Sequence, residues 1–142
     1  MKKLLCTLLP VALLLGVGLA ACGNAPSDTA SEDMPSAVRY KEEAYASNGH
    51  YASTPFTCTE GTGDVLSYCF QNNAASDCTV QLYKKGLLGD TLVSSITVSP
   101  DDPEGKTGEL PHPRDDTFYF KLQASDGGAI GGPLTACQTN LE

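Results

Sequence analysis

The feature that most constrains the fold is a strict alternation of side-chain types near the C-terminal end of the chain. Over residues 117–124, every second residue is apolar: Phe118, Phe120, Leu122 and Ala124. Because successive side chains of a β-strand point to opposite faces, this period of two predicts a strand with one face in a core and the other in water. Such a strand needs partners, so the chain must build a sheet.

Other segments fit the same element type. The period of two recurs at residues 78–83 and 92–98, and four less regular segments between turn-forming residues also read as strands: 54–59, 64–70, 106–110 and 133–139. These strands predict an all-β domain, either a small antiparallel β-sandwich or a partly open barrel. The architecture is similar in outline to immunoglobulin-like or fibronectin-like domains, but the chain has no tryptophan for the immunoglobulin core.

The first 21 residues have the layout of a secretion signal. Lys2 and Lys3 precede an apolar run that ends in small residues, which is the pattern of an exported chain. Removing residues 1–21 leaves 121 residues with seven Lys plus Arg against seventeen Asp plus Glu, a formal charge of −10 compared with −8 for the whole chain. We therefore expect no nucleic-acid partner, because binding a phosphate backbone needs clustered cations.

The end of this signal carries a second pattern. Leu19-Ala20-Ala21-Cys22 resembles the lipobox of bacterial lipoproteins, in which an aliphatic residue and two small residues precede an obligatory cysteine. The resemblance implies cleavage before Cys22 and a diacylglyceryl group on its sulfur, and several acyl chains hold a protein stably on a membrane. We therefore expect a lipid anchor on the outer face of the bacterial cell membrane, or in the periplasm or outer membrane.

Residues 22–49 are predicted to be the lipidated cysteine followed by a flexible tether. This range is rich in polar and turn-forming residues, and such a composition buries too little apolar surface to order itself. A short helix within residues 36–47, ended by Asn48-Gly49, is a further hypothesis. The β-domain is predicted to occupy residues 50–142.

Four cysteines lie in this predicted domain: Cys58, Cys69, Cys78 and Cys137. In an exported protein an even set of this kind predicts two disulfides. The favoured pairing joins Cys69 to Cys78 across a polar loop and Cys58 to Cys137. The main alternative joins Cys58 to Cys69 across a glycine-rich turn and Cys78 to Cys137.

No residue pattern indicates catalysis. His50 and His112 lie outside any recognised catalytic pattern, and nucleophile-elbow and zinc-protease motifs are absent from the sequence. Six carboxylates lie between the strands at 92–98 and 117–124, namely Asp101, Asp102, Glu104, Glu109, Asp115 and Asp116. Their spacing fits no known calcium loop, so solvated turn residues are the favoured interpretation. We predict no metal, no cofactor and no enzymatic activity.

One apolar segment stands out against this polar background. Gly86-Leu87-Leu88-Gly89 places two leucines where a hairpin tip is expected. They either form an exposed contact for a partner or lipid, or fold over the open end of the sandwich and close the core. Tyr68, Tyr83 and Tyr119 are candidates for outward-facing aromatic surface.

The sequence therefore favours a lipid-anchored extracytoplasmic lipoprotein that acts as a non-catalytic binding or interaction module for an unknown protein or glycan. One alternative is an inhibitor of an extracellular enzyme. Phe56-Thr57-Cys58 resembles the domain start of small lipoprotein inhibitors of lysozyme, although the inhibitory serine and arginine motif of that family is absent. A structural envelope protein is the other alternative.

Overall fold

The computed structural model describes residues 37–140, which contain nine β-strands. The strands are β1 (Ala37–Ala46), β2 (His50–Ala52), β3 (Phe56–Thr57), β4 (Val65–Phe70), β5 (Cys78–Lys84), β6 (Thr91–Val98), β7 (Lys106–Pro111), β8 (Thr117–Ala124) and β9 (Ile130–Thr139). Within residues 37–140 there is no helix of the length and apolarity needed to cross a bilayer. The predicted signal, lipobox and Cys22 lie outside the described residues.

The strands form two antiparallel sheets. Sheet A has the order β1-β9-β4-β7, and sheet B has the order β2-β8-β5-β6 with β3 also paired to β8. The prediction of a small antiparallel all-β sandwich is confirmed, and within the described range the strands form two open sheets. We call the side of each sheet that faces the other sheet inner, and the opposite side outer.

The alternation in the sequence decides which side chains form the core. In β8 the even-numbered residues are buried and the odd-numbered ones are partly or fully exposed, as the period of two predicts. The centre of the core is aromatic: the Phe120 ring lies 5.4 Å from Phe56, 5.7 Å from Tyr40 and 5.3 Å from Tyr68 between ring centroids. Burial of these rings contributes to the stability of the core, because large aromatic side chains remove much apolar surface from water.

The structure of residues 37–46 differs from the one predicted from the sequence for this part of the chain. The helix hypothesis is wrong, because residues 37–46 form a ten-residue strand on the edge of sheet A. These residues, predicted as tether, therefore belong to the β-domain. The sequence of β1 shows no regular alternation of apolar and polar residues, because only Tyr40 and Ala44 are buried in this strand. The register of its pairing with β9 also shifts between Val38 and Tyr40.

Gln138 is a fully buried polar residue that ties β9 to the segment after β3. Its Oε1 accepts hydrogen bonds from the Thr59 N–H at 3.0 Å and the Arg39 Nε at 2.5 Å. Its Nε2 donates to the Thr59 carbonyl at 3.1 Å and the Gly63 carbonyl at 3.4 Å. Because buried polar groups are tolerated only when they are hydrogen-bonded, this amide fixes the position of the loop between β3 and β4.

Candidate functional site

The hairpin between β5 and β6 carries the two leucines in full contact with solvent. Leu87 and Leu88 have relative exposures of 105% and 106%, the highest among the exposed large apolar side chains of the described residues. The loop therefore does not close the core. We call residues 85–90 the hairpin tip.

Two glycines explain the shape of the hairpin tip. A Cβ on Gly86 would lie 2.4 Å from the Gly89 carbonyl oxygen, which is closer than a side chain can approach. Gly89 has a φ of +141°, a backbone conformation that other residues rarely adopt. The turn is thus closed by glycine at both ends, and the leucines between them point outward.

The base of the hairpin tip is held by a chain of hydrogen bonds. The Tyr119 hydroxyl donates to one Asp90 carboxylate oxygen at 2.8 Å, and the Gly86 N–H donates to the other at 3.3 Å. Hydrogen bonding from Tyr119 and then from Gly86 lowers the pKa of the Asp90 carboxyl below its ordinary value. The same bond raises the pKa of the Tyr119 phenol. Asp90 therefore connects the hairpin tip to the outer face of β8.

An aromatic pair lies on the outer face of sheet B beside the hairpin tip. Tyr83 and Tyr119 are direct partners in the β5–β8 register, and their rings stack with centroids 5.5 Å apart. The Lys121 ammonium lies 4.7 Å from the Tyr83 centroid and 5.7 Å from that of Tyr119. Tyr68 does not join this surface, because it is fully buried with its hydroxyl 2.7 Å from the Ser94 Oγ.

A shallow cleft on the outer face continues from this pair. It has a volume of about 340 Å³ and is lined by His50, Tyr51, Ala52, Gln81, Lys121, Leu122 and Gln123. The strand register explains the depression: Lys121 lies between Gln81 on β5 and Ala52 on β2, and the small alanine leaves space at the sheet edge. The sequence does not mark Lys121, Gln81 and Gln123 as site residues, because its alternation shows that they face outward but not that the strands place them side by side.

The histidines and carboxylates do not assemble into one site. His50 is exposed at the start of β2, and His112 is exposed in the β7–β8 loop, where its N–H donates to the Asp64 carbonyl at 2.7 Å. Asp101, Asp102 and Glu104 are exposed in the β6–β7 turn, whereas Asp116 forms an ion pair with Lys84 at 2.8 Å. Among residues 37–140 no group of three or more His, Cys, Asp or Glu side chains is arranged to hold a metal ion.

Two of the cysteines lie together on the outer face of sheet A. In the pairing of β4 with β9, Cys69 is opposite Thr135 and Cys137 is opposite Ser67, so the two cysteines are diagonal neighbours on one face. They form a small buried cluster separate from the main core. Neither pairing favoured from the sequence joins these two residues.

The other two cysteines lie in the main core and far from each other. The Cys58 N–H donates to the Asp116 carbonyl, just before β8 begins, and Cys78 is opposite Ala124, where β8 ends. The eight residues of β8 therefore separate them, a span of roughly 25 Å that no disulfide bridges. Burial raises the pKa of each thiol to about 11.

Comparison with known proteins gives no family. No protein-family model matches the chain, and no curated protein matches it. The chain is similar to the Yersinia pseudotuberculosis-derived mitogen at 12% identity, covering 73% of this chain and 84% of that one with a TM-score of 0.47. It is similar to a protein of the Bacillus endospore appendages, disulfide-linked pili, at 16% identity, with coverages of 79% and 95% and a TM-score of 0.44.

A third similarity is to Aeromonas hydrophila PliG, a periplasmic inhibitor of g-type lysozyme. The identity is 9%, the coverages are 77% and 90%, and the TM-score is 0.43. Likenesses at this level carry no argument about the activity or partners of this chain.

Proposed function

We propose that this chain is a lipid-anchored extracytoplasmic interaction module, and that the hairpin tip is its contact with a protein partner. The observation that supports the proposal is the complete exposure of Leu87 and Leu88 on a turn whose shape is fixed by Gly86 and Gly89. Scattered apolar residues are normal on protein surfaces. Two adjacent, fully exposed leucines at a hairpin tip are not needed for folding.

The energetics favour a contact role for this tip. Full burial of a leucine contributes about 1.5 to 3 kcal/mol, so two leucines seated in a partner's cleft can dominate the affinity of a small interface. The Tyr119–Asp90–Gly86 hydrogen bonds hold the tip in place before binding. Because the tip is ordered in advance, association loses less conformational entropy.

The lipid anchor gives the module its place of action. The lipobox resemblance predicts attachment through Cys22, and the chain between Cys22 and β1 connects the anchor to the domain. Attachment confines the hairpin tip to the membrane surface, where it meets partners at a raised effective concentration.

A pull-down from membranes of cells that produce the tagged full chain tests this proposal. The double variant Leu87→Ser/Leu88→Ser is compared with the unmodified chain after solubilisation in mild detergent. We expect the variant to retain at least about tenfold less of the partner, in line with the loss of two buried leucines.

The matched control is Val38→Ser, which removes a half-exposed apolar side chain from the edge of the other sheet. This control should retain the partner as the unmodified chain does. Equal retention by the double variant, or equal loss in the control, would contradict the proposal. Assaying the full chain and the double variant for inhibition of lysozyme identifies the case in which the partner is that enzyme.

A further inference from the structure

We propose that the outer face of sheet B, at the cleft beside the Tyr83–Tyr119 pair, binds an acidic oligosaccharide of the uronic-acid type. This surface is different from the hairpin tip, and its proposed ligand is a sugar rather than a protein. Lys121 connects its two parts, because it lines the cleft and its ammonium lies over the Tyr83 ring.

The cleft offers hydrogen-bonding groups on a rigid platform. The polar residues that line the cleft are Gln81, Gln123, His50 and Lys121. The volume of the cleft is about 340 Å³, which is near the lower end of the range for small-ligand pockets. Gln81 is the register partner of Lys121 on the neighbouring strand β5, and Gln123 follows Lys121 two residues later on the same face of β8. Their spacing is therefore set by the sheet rather than by a mobile loop.

Charge selects an acidic ligand. In the part of the chain that the structure describes, the Lys121 ammonium makes no ion pair and lies over two tyrosine rings. The Asp90 carboxylate also interacts with it electrostatically, but that carboxylate is bonded to Tyr119 and Gly86 and does not line the cleft. The cleft has no carboxylate in its lining, although the chain as a whole is strongly acidic. A ligand carboxylate bound in the cleft would thus find one positioned cation and no carboxylate in the lining.

The tyrosine pair holds the Lys121 ammonium beside the cleft through cation–π contacts. The rings stack nearly parallel at 16°, and each is half-buried at the sheet surface. Sugar rings combine hydroxyl groups with apolar C–H patches, which suit a surface made of amides beside an aromatic side chain. A protein segment is less suitable, because the centres of protein interfaces are more apolar and contain fewer charges than this cleft.

Isothermal titration of the full chain in detergent with tetragalacturonate tests the site, with neutral cellotetraose as the comparison probe. We expect tetragalacturonate to bind and cellotetraose to bind at least about tenfold more weakly. Lys121→Gln should weaken tetragalacturonate binding by about tenfold, since it removes a charge-assisted hydrogen bond. The control is Lys106→Gln, which removes an exposed lysine at the start of β7 in sheet A. This variant should bind tetragalacturonate as the unmodified chain does.

The tyrosines give a second test that a merely structural role would not pass. Tyr83→Ala should lower the affinity, and Tyr83→Phe should restore it because the ring is kept. The inference is overturned if neither sugar binds at millimolar concentrations, if the two bind equally, or if Lys121→Gln and Lys106→Gln behave alike. None of these results depends on Leu87 or Leu88, so failure of this site and failure of the protein contact are distinguishable.

Discussion

Gln138 shows how one buried side chain positions a loop that carries no regular structure. The residue is fully buried in β9 and makes four hydrogen bonds, three of them to backbone groups of Thr59 and Gly63. Nothing in the sequence distinguishes it from the other glutamines, because its backbone partners Thr59 and Gly63 lie 79 and 75 residues away in the chain. Its role depends on tertiary packing.

Replacing Gln138 with leucine keeps the volume of the side chain and removes its hydrogen bonds. The Thr59 N–H and the buried Gly63 carbonyl would then lose this partner, whereas the Thr59 carbonyl keeps its bond from the Thr62 N–H. We therefore expect the free energy of unfolding to fall by about 1 to 2 kcal/mol. Urea denaturation of the full chain measures this loss. Gln123→Leu, at an exposed position of β8, should change stability by less than about 0.5 kcal/mol, and an equal loss in both variants would refute the assignment.

The core cysteines give a second prediction at the residue scale. Burial raises the pKa of Cys58 and Cys78 to about 11, and only the thiolate reacts with iodoacetamide. In the native chain at pH 8 we expect both residues to stay unmodified, with reaction accelerating as the pH approaches 11. After unfolding without a reductant, both should be alkylated.

Mass spectrometry of the alkylated peptides decides between this expectation and the disulfides predicted from the sequence. If Cys58 or Cys78 stays blocked in the unfolded, unreduced chain, that cysteine is in a disulfide and the placement of these residues is wrong. A linked peptide containing Cys69 and Cys137 would join two residues that the strand register makes diagonal neighbours on one face.

At the scale of elements, the hairpin between β5 and β6 depends on Asp90. Its carboxylate accepts hydrogen bonds from Tyr119 and Gly86, and these bonds lower its pKa. A lowered pKa in the folded chain means that the contribution of Asp90 is present above the ordinary carboxyl pKa. The contribution is lost as the pH falls through the lowered value.

Asp90→Ala should loosen the hairpin tip without unfolding the domain. We expect faster amide hydrogen exchange at residues 85–89 in the variant, with unchanged protection in β8 and β9. Asp126→Ala is the matched control, because Asp126 also accepts hydrogen bonds from Ser76 and Gly128 but in a different turn. Faster exchange at the hairpin tip in both variants, or in neither, would refute the role of Asp90.

The elements also show what the sequence could predict. The three alternating segments correspond to β5, β6 and β8, and their predicted bounds agree with the structure within a residue or two. Alternation predicts such strands well because it arises when one face of a sheet is buried and the other is in water. The edge strand β1 could not be recognised, since its Lys-Glu-Glu segment faces solvent and its register is shifted at Val38. The cleft was not predictable either, because strand order and register place Gln81, Lys121 and Ala52 in one row.

At the scale of the whole molecule, the predicted anchor and the β-domain have separate roles. The lipobox resemblance predicts a lipid on Cys22, and β1 occupies Ala37–Ala46 of the range predicted as tether, which shortens that tether. We expect Cys22→Ala to stall processing or to release the chain from membranes, because no acyl chain can then be attached.

Fractionation of cells that produce each form, followed by mass measurement of the N-terminal peptide, checks the anchor. Cys58→Ala is the control, since this buried cysteine should have no effect on membrane retention. A Cys22→Ala chain that is cleaved normally and stays on the membrane would exclude the lipid anchor.

The proposed contact at Leu87 and Leu88 is tested most directly by site-specific photo-crosslinking in cells that produce the full chain. An apolar photoreactive residue replaces Leu88 in one form and the half-exposed Val38 in the other. The account predicts a discrete protein adduct from position 88 and none from position 38. No adduct at position 88, or the same adducts from both positions, would contradict it.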